Sequence, residues 1–199
     1  MEFEEVKKLR DECHKCRKCS IGGIGIGGKI SNVFSNMNPD ADIMIVGQNP
    51  GADEIKQGSP FVGISGKTFD SLLMETLKMD RGRLYISNVV RCFTPGNRKP
   101  YQPEISNCLP FLDREVEMVF PALIVTLGAP AFTQLTGMTG ITKHRAKVIF
   151  SIKYRVPIFP MVHPSPFNTA SKKGRKEFCS DLKVLGKIIE KIDSGEKLF

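Results

Sequence analysis

Residues 42–51 read DIMIVGQNPG, a short apolar run that ends in glycine, two amides and a Pro-Gly corner. A continuous apolar run bounded by Asp and Gly is the pattern of a strand buried on both faces. Pro50 and Gly51 then turn the chain out of it. The same pattern returns at LYISNVV (84–90), ALIVTLG (122–128) and VPIFPMV (156–162), with a further candidate at 147–152. Between the first two, GKTFDSLLMETLKM (66–79) places Phe69, Leu72, Leu73 and Leu77 on one helical face. Helices are also expected over 103–119, near 129–136 and over 171–192. Strands that alternate with helices can pair in parallel only through crossovers, so the helices must cover both sheet faces. The expected fold is α/β, a three-layer α/β/α sandwich around a mostly parallel four-stranded sheet. A length of 199 residues with no repeat or linker fits a single domain over 1–199.

Apolar residues make up 41% and charged residues 25%, the balance of a soluble globular chain. The longest nearly apolar stretch, 121–132, is broken by Gly and Pro and is too short to cross a bilayer. The opening MEFEEVKKLRDE mixes charge with Phe3, Val6 and Leu9 at helical spacing, so it reads as a helix and not as an export signal. A cytoplasmic protein is expected. Lys and Arg number 29 against 21 Asp and Glu, and the net charge of +8 favours a polyanionic partner; a merely solvated basic surface is the plain alternative. Three of six cysteines fall within seven residues, at Cys13, Cys16 and Cys19, which suits thiolate ligation in a reducing compartment. Residues 20–41 read as a loop. Its GxxxxGK stretch at 23–29 has Ile30 where a phosphate loop needs Ser or Thr, and no strand precedes it, so a phosphate loop is rejected.

Ligands of open parallel sheets bind at the carboxyl ends of the strands. Three such ends carry unusual residues: Gly47 to Gly51, Asn88 among apolar neighbours, and His163-Pro164-Ser165-Pro166. Each has a plain reading as a tight turn, a satisfied core amide or a structural histidine. Together they point to one shared cleft.

GQNPG (47–51), GSPFVGISG (58–66), YISNVVRC (85–92), GNRKP (96–100) and HPS (163–165), in that order, resemble the family 4 (iron–sulfur) uracil-DNA glycosylases. The resemblance runs from Cys16 to the last helix. It implies a monofunctional enzyme that flips uracil out of DNA and hydrolyses its N-glycosidic bond to start base excision repair. No lysine lies in GQNPG, in the Asn88 strand end or in HPS to act as a lyase. By the same resemblance Phe61 stacks on the flipped base, Asn88 reads its edge, and His163 stabilises charge on the departing uracil. The family's first motif is usually GEAPG or GEGPG, whereas Gln48 and Asn49 stand here. Gln48 cannot be a carboxylate base and is expected to line the pocket mainly through its backbone. Asn49 is expected to position the water. Gly51 stands where related GQDPY enzymes carry a bulky Tyr, so discrimination against 5-substituted uracils should be weaker unless Asp53 or Glu54 fills the gap. Phe167 is the candidate wedge into the base stack, and Ser165, Arg98 and Arg145 are candidate DNA contacts, with Lys99 beside Arg98.

The resemblance further implies a structural [4Fe–4S] cluster on Cys16, Cys19, Cys92 and Cys108, with Cys13 spare and zinc the less favoured occupant, while Cys179, alone on an amphipathic helix, reads as a small buried apolar residue. The expected partner is uracil-containing DNA, bound by a monomer associated with the nucleoid. Competing readings are a glycosylase for hypoxanthine or a 5-modified uracil, a non-catalytic metal-containing DNA-binding module, and a ferredoxin-like electron carrier.

Overall fold

The computed structural model describes residues 2–23, 32–196 and 198; the Phe3 side chain and most of the GxxxxGK stretch lie outside the described residues. The chain runs α1 (Glu2–Lys15), β1 (Ile43–Gly47), α2 (Ala52–Gln57), α3 (Ile64–Leu77), β2 (Leu84–Asn88), α4 (Gln102–Val119), β3 (Leu123–Leu127), α5 (Ala129–Thr136), α6 (Ile141–His144), β4 (Ile149–Ser151), β5 (Val156–Met161), α7 (Pro166–Thr169) and α8 (Lys172–Asp193). The sheet order is β2-β1-β3-β5-β4, with every pair parallel except β4 against β5. The expected four-stranded sheet is thus extended by a fifth, antiparallel edge strand within the 147–152 candidate. A tight 152–155 turn reverses the chain there, which needs no crossover helix.

The strands bury both faces, as their unbroken apolar runs require. Met44, Val46, Tyr85 and Ile124 face α1, α4 and α5. Ile43, Ile45, Leu84, Ile86 and Val125 face α3 and α8, where Phe69, Leu72, Phe178 and Leu182 complete the second core. This period-two division puts Asn88, two residues beyond Ile86, on the α3 side. Helix α4 continues through Pro110, and Pro103 sits in its first turn, where the missing N–H is no loss. Among the described residues no helix is long and apolar enough to cross a membrane.

Candidate active site

Gly47 and Asn88 are partners in the parallel register of β1 and β2, so the two strands end at one level. Beyond β5, His163 arrives at the same end of the sheet. A cleft of about 420 Å³ opens there, lined by Gln48, Asn49, Gly51, Phe61, Asn88 and His163. All six residues expected to bind base or perform chemistry therefore meet in one place.

Phe61 reaches the cleft in a backbone conformation that ordinary residues avoid, with φ at 54°. Arg81 holds it by donating to the carbonyls of Pro60 (2.8 Å) and Phe61 (2.9 Å), while pairing with Asp70 at 2.9 Å. Gly66 is obligatory here, because a Cβ on it would lie 1.9 Å from the Phe61 carbonyl oxygen. The Glu54 carboxylate completes the clamp by accepting from the N–H groups of Gly51 (3.0 Å), Val62 (3.1 Å) and Gly63 (2.8 Å). So held, the Phe61 ring lies over Gly47: a Cβ at Gly47 would meet Phe61 Cε2 at 2.5 Å and Asn88 Oδ1 at 2.6 Å. The Phe61 and His163 rings are 6.1 Å apart, tilted by 40°.

Asn88 is 1% exposed, yet among the described residues neither Oδ1 nor Nδ2 has a hydrogen-bond partner. A buried amide normally finds partners within the fold, since leaving each group unpaired costs about 1–3 kcal/mol. Its open polar edge is the outstanding feature of the cleft.

The Asn49 amide, by contrast, is fixed on both sides. Thr94 donates its hydroxyl proton to the Arg98 carbonyl at 2.5 Å, so at Asn49 it must accept, from Nδ2 at 3.3 Å. Nδ2 also donates to the Pro50 carbonyl at 3.1 Å. Oδ1 receives Gln48 Nε2 at 2.8 Å, which leaves one lone pair. The structure adds a side-chain contact to the expectation for Gln48. Its backbone carbonyl does accept from Val90 N–H at 2.9 Å, but its side chain also orients Asn49.

Burial pushes the pKa of His163 down, against a weaker pull upward from the Glu54 charge, so the imidazole is neutral at pH 7. Asn168 Nδ2 donates to the His163 carbonyl at 2.8 Å and pins the loop.

Four residues beyond His163, Phe167 is 95% exposed on α7, which begins just after Ser165, so it does not pack beneath the loop. Arg98 and Arg145, the candidate DNA contacts, both sit in ion pairs within the chain. Arg98 forms a bidentate pair with Glu104 (2.6 and 2.9 Å) and lies 3.8 Å from the Tyr101 ring centre. Arg145 binds Asp181 at 2.8 Å, Glu177 at 3.0 Å and the Glu177 carbonyl at 2.9 Å. Both guanidiniums pair with the chain's own acceptors, and neither is among the residues that line the cleft. Lys99 lines the cleft instead.

Neither Thr94 as an orienting group nor Glu54 as a clamp on the Phe61 loop is among the expectations from sequence. The GADE spacing, with Glu at the third helical position, is a capping signal that could have revealed Glu54. Nothing local to Thr94 announces its role.

Behind β2, Cys13, Cys16, Cys19, Cys92 and Cys108 line one space. Cys13 is 1% exposed, and burial pushes its thiol pKa well up. Cys108 Sγ accepts the Arg91 N–H at 3.2 Å. Among the described residues no three His, Cys, Asp or Glu side chains form a group that could hold a metal ion. Cys179 is half-buried against the α3–α8 core.

The family model for the uracil DNA glycosylase superfamily matches residues 34–185. A type-4 uracil-DNA glycosylase of Sulfurisphaera tokodaii is 35% identical over 171 residues, covering 82% of this chain and 76% of that protein. One of Archaeoglobus fulgidus is 31% identical over 196 residues, 95% of this chain and 96% of that protein. A DNA polymerase of Bacillus phage SP01 is 33% identical over 152 residues, 75% of this chain but 16% of the polymerase.

Proposed function

The chain belongs to the uracil DNA glycosylase superfamily, and from that premise we propose how its cleft excises uracil from DNA, the step that begins base excision repair. The carrying observation is the buried, unpartnered amide of Asn88. Uracil presents a donor at N3 and an acceptor at O4, which match Asn88 Oδ1 and Nδ2. Cytosine presents the reverse, so a fixed amide rejects it. Phe61 stacks on the extruded ring. As the C1′–N1 bond breaks, its electron pair leaves with uracil and the negative charge settles largely on O2. The neutral His163 imidazole donates a hydrogen bond there without transferring its proton. Asn49 Oδ1 holds the water with its remaining lone pair. The water oxygen bonds to C1′, and the released proton reaches the uracil anion through solvent.

Phe167 enters the stack as the base leaves, with Ser165 and Lys99 at the backbone on either side. Glu54 Oε2 would lie 2.8 Å from a Cβ at Gly51, so its carboxylate fills part of the space where bulk is missing and narrows the base range. A panel of uracil, hypoxanthine and 5-modified uracils measures that range.

Although no three of these side chains stand close enough for a single ion among the described residues, five thiols line one space behind β2, and four thiolates are the donor set that a [4Fe–4S] cluster takes. Cys16, Cys19, Cys92 and Cys108 would hold it, with Cys13 spare, and the cluster would supply a covalent staple joining the segment after α1, the loop after β2 and α4. We read the chain as one domain acting as a monomer on chromosomal DNA in the cytoplasm.

The test is single-turnover release of uracil from a labelled duplex by wild type, Asn88→Ala and His163→Ala. Release by wild type and its loss in both variants is expected. Undiminished release by Asn88→Ala would refute the base-reading role.

A further inference from the structure

Because β2 is an edge strand, its outward carbonyls need partners from outside the sheet. Asn36 serves two of them: Nδ2 donates to Leu84 at 2.6 Å, and the backbone N–H donates to Ile86 at 3.2 Å. The third, the carbonyl of Asn88, receives the Arg91 guanidinium. On its inward side the same peptide is held by Val89 N–H donating to Gly47 at 2.9 Å. The residue with the open amide is thus gripped through its main chain from both sides, and only the outer grip is a side chain.

That side chain is buried in an unusual way. Arg91 and Glu115 are 1% and 0% exposed, and they pair directly. Ser87, the residue before Asn88, donates to the same Glu115 oxygen at 2.7 Å. Arg91 N–H donates to Cys108 Sγ at 3.2 Å, and its carbonyl accepts Val33 N–H at 2.8 Å. A well-packed apolar pair of similar volume would serve stability as well as a buried ion pair. What an apolar pair cannot do is hold a carbonyl at the end of a strand.

We propose that Arg91, braced by Glu115, is a positioning residue. Its guanidinium fixes the Asn88 peptide so that the amide presents one edge to the base, and it ties this strand end to the wall of the cysteine-lined space. The inference rests on the base-reading role of Asn88 and extends it to a group that never touches DNA. Lysine keeps the charge but loses the planar fork, so one ammonium cannot serve both the Asn88 carbonyl and the Glu115 carboxylate in fixed geometry.

The experiment measures single-turnover uracil release for Arg91→Lys in the wild-type and in the Asn88→Ala background, with affinity for abasic duplex and thermal midpoint alongside. Expected is a loss of about 10- to 100-fold in the wild-type background, the scale for a misplacement of order 1 Å. In the Asn88→Ala background the same change should cost less than about threefold, because residues acting through one another are not additive. Affinity for abasic DNA, which has no base to read, should not move. An equal fold-loss in both backgrounds would show a merely structural role and overturn the proposal, as would no loss in either. If Asn88→Ala itself released uracil at the wild-type rate, the base-reading role would fall, and this inference with it. Should Arg91→Lys not fold, Glu115→Gln, which loosens the brace and leaves the arginine in place, carries the same two-background comparison.

Discussion

Gly47 touches neither water nor sugar in the mechanism above, yet Gly47→Ala should nearly abolish excision. The added Cβ would stand 2.5 Å from Phe61 Cε2 and 2.6 Å from Asn88 Oδ1, where ordinary contact begins at 3.4 Å. Backbone strain is not the issue, since Gly47 has no left-handed φ. The shortfall of about 0.9 Å must come from the two groups that face the base. Phe61 cannot yield freely, because Arg81 grips the carbonyls of Pro60 and Phe61, and Glu54 grips the two residues that follow. Asn88 is held at its main chain from both sides. A displacement near 1 Å at a reading group is worth on the order of 100-fold in rate, or about 2.7 kcal/mol of barrier. Overpacking should lower stability by about 1–3 kcal/mol, which leaves a folded protein to assay. The measurement is the single-turnover rate on a uracil duplex with enzyme in excess, beside a urea unfolding curve. A folded Gly47→Ala protein that excises uracil within about threefold of wild type would refute the claim that Phe61 and Asn88 form a close-fitted base pocket.

Phe167→Ala should leave the unfolding midpoint almost unmoved, because the side chain is exposed, yet slow excision from duplex by about tenfold while sparing single-stranded substrate; parallel rates on the two substrates decide it. His163 titrates below its ordinary 6.5 because burial disfavours the charged ring. Excision should therefore stay level above pH 6.5 and change only once pH drops to the depressed folded value. The unfolded chain takes up this proton first, so stability is full above 6.5 and declines as pH falls toward the folded value; His163→Gln should flatten that part of a stability–pH curve. Cys13→Ala should keep the wild-type iron content and the absorbance near ~400 nm, whereas Cys92→Ala should lose both; equal loss would put Cys13 among the ligands.

The strands of the parallel sheet were legible because burial on both faces leaves continuous apolar runs. β4 was not settled, since a three-residue edge strand with Phe150 facing solvent carries no comparable signal. Helices α2, α6 and α7 are too short to show a period. The cleft could be read from the three strand ends because glycine, proline and a lone amide are costly in such positions unless used. The partners of Arg98 and Arg145 could not be read. Sequence displays a cation but not its partner: Glu104 lies six residues from Arg98, and Asp181 lies 36 from Arg145. The bond from Gln48 to its neighbour Asn49 was hidden for a different reason, since adjacency in sequence does not say which way a side-chain amide turns.

Two features of the cleft oppose folding: an amide buried without partners and a phenylalanine in the left-handed region. Each costs on the order of 1–3 kcal/mol. Such states persist only where their surroundings over-determine them, and here three charged residues do so. Glu54 takes three backbone N–H groups, Arg81 takes two carbonyls, and Arg91 takes one. All six backbone groups belong to residues 51, 60–63 and 88, the segments that carry the pocket. These charges therefore act on the chain that carries the site. Since the strain is met when the protein folds, the extruded base finds its stacking ring and reading edge already in place. Binding energy can then go to extrusion and bond cleavage instead of to ordering the pocket.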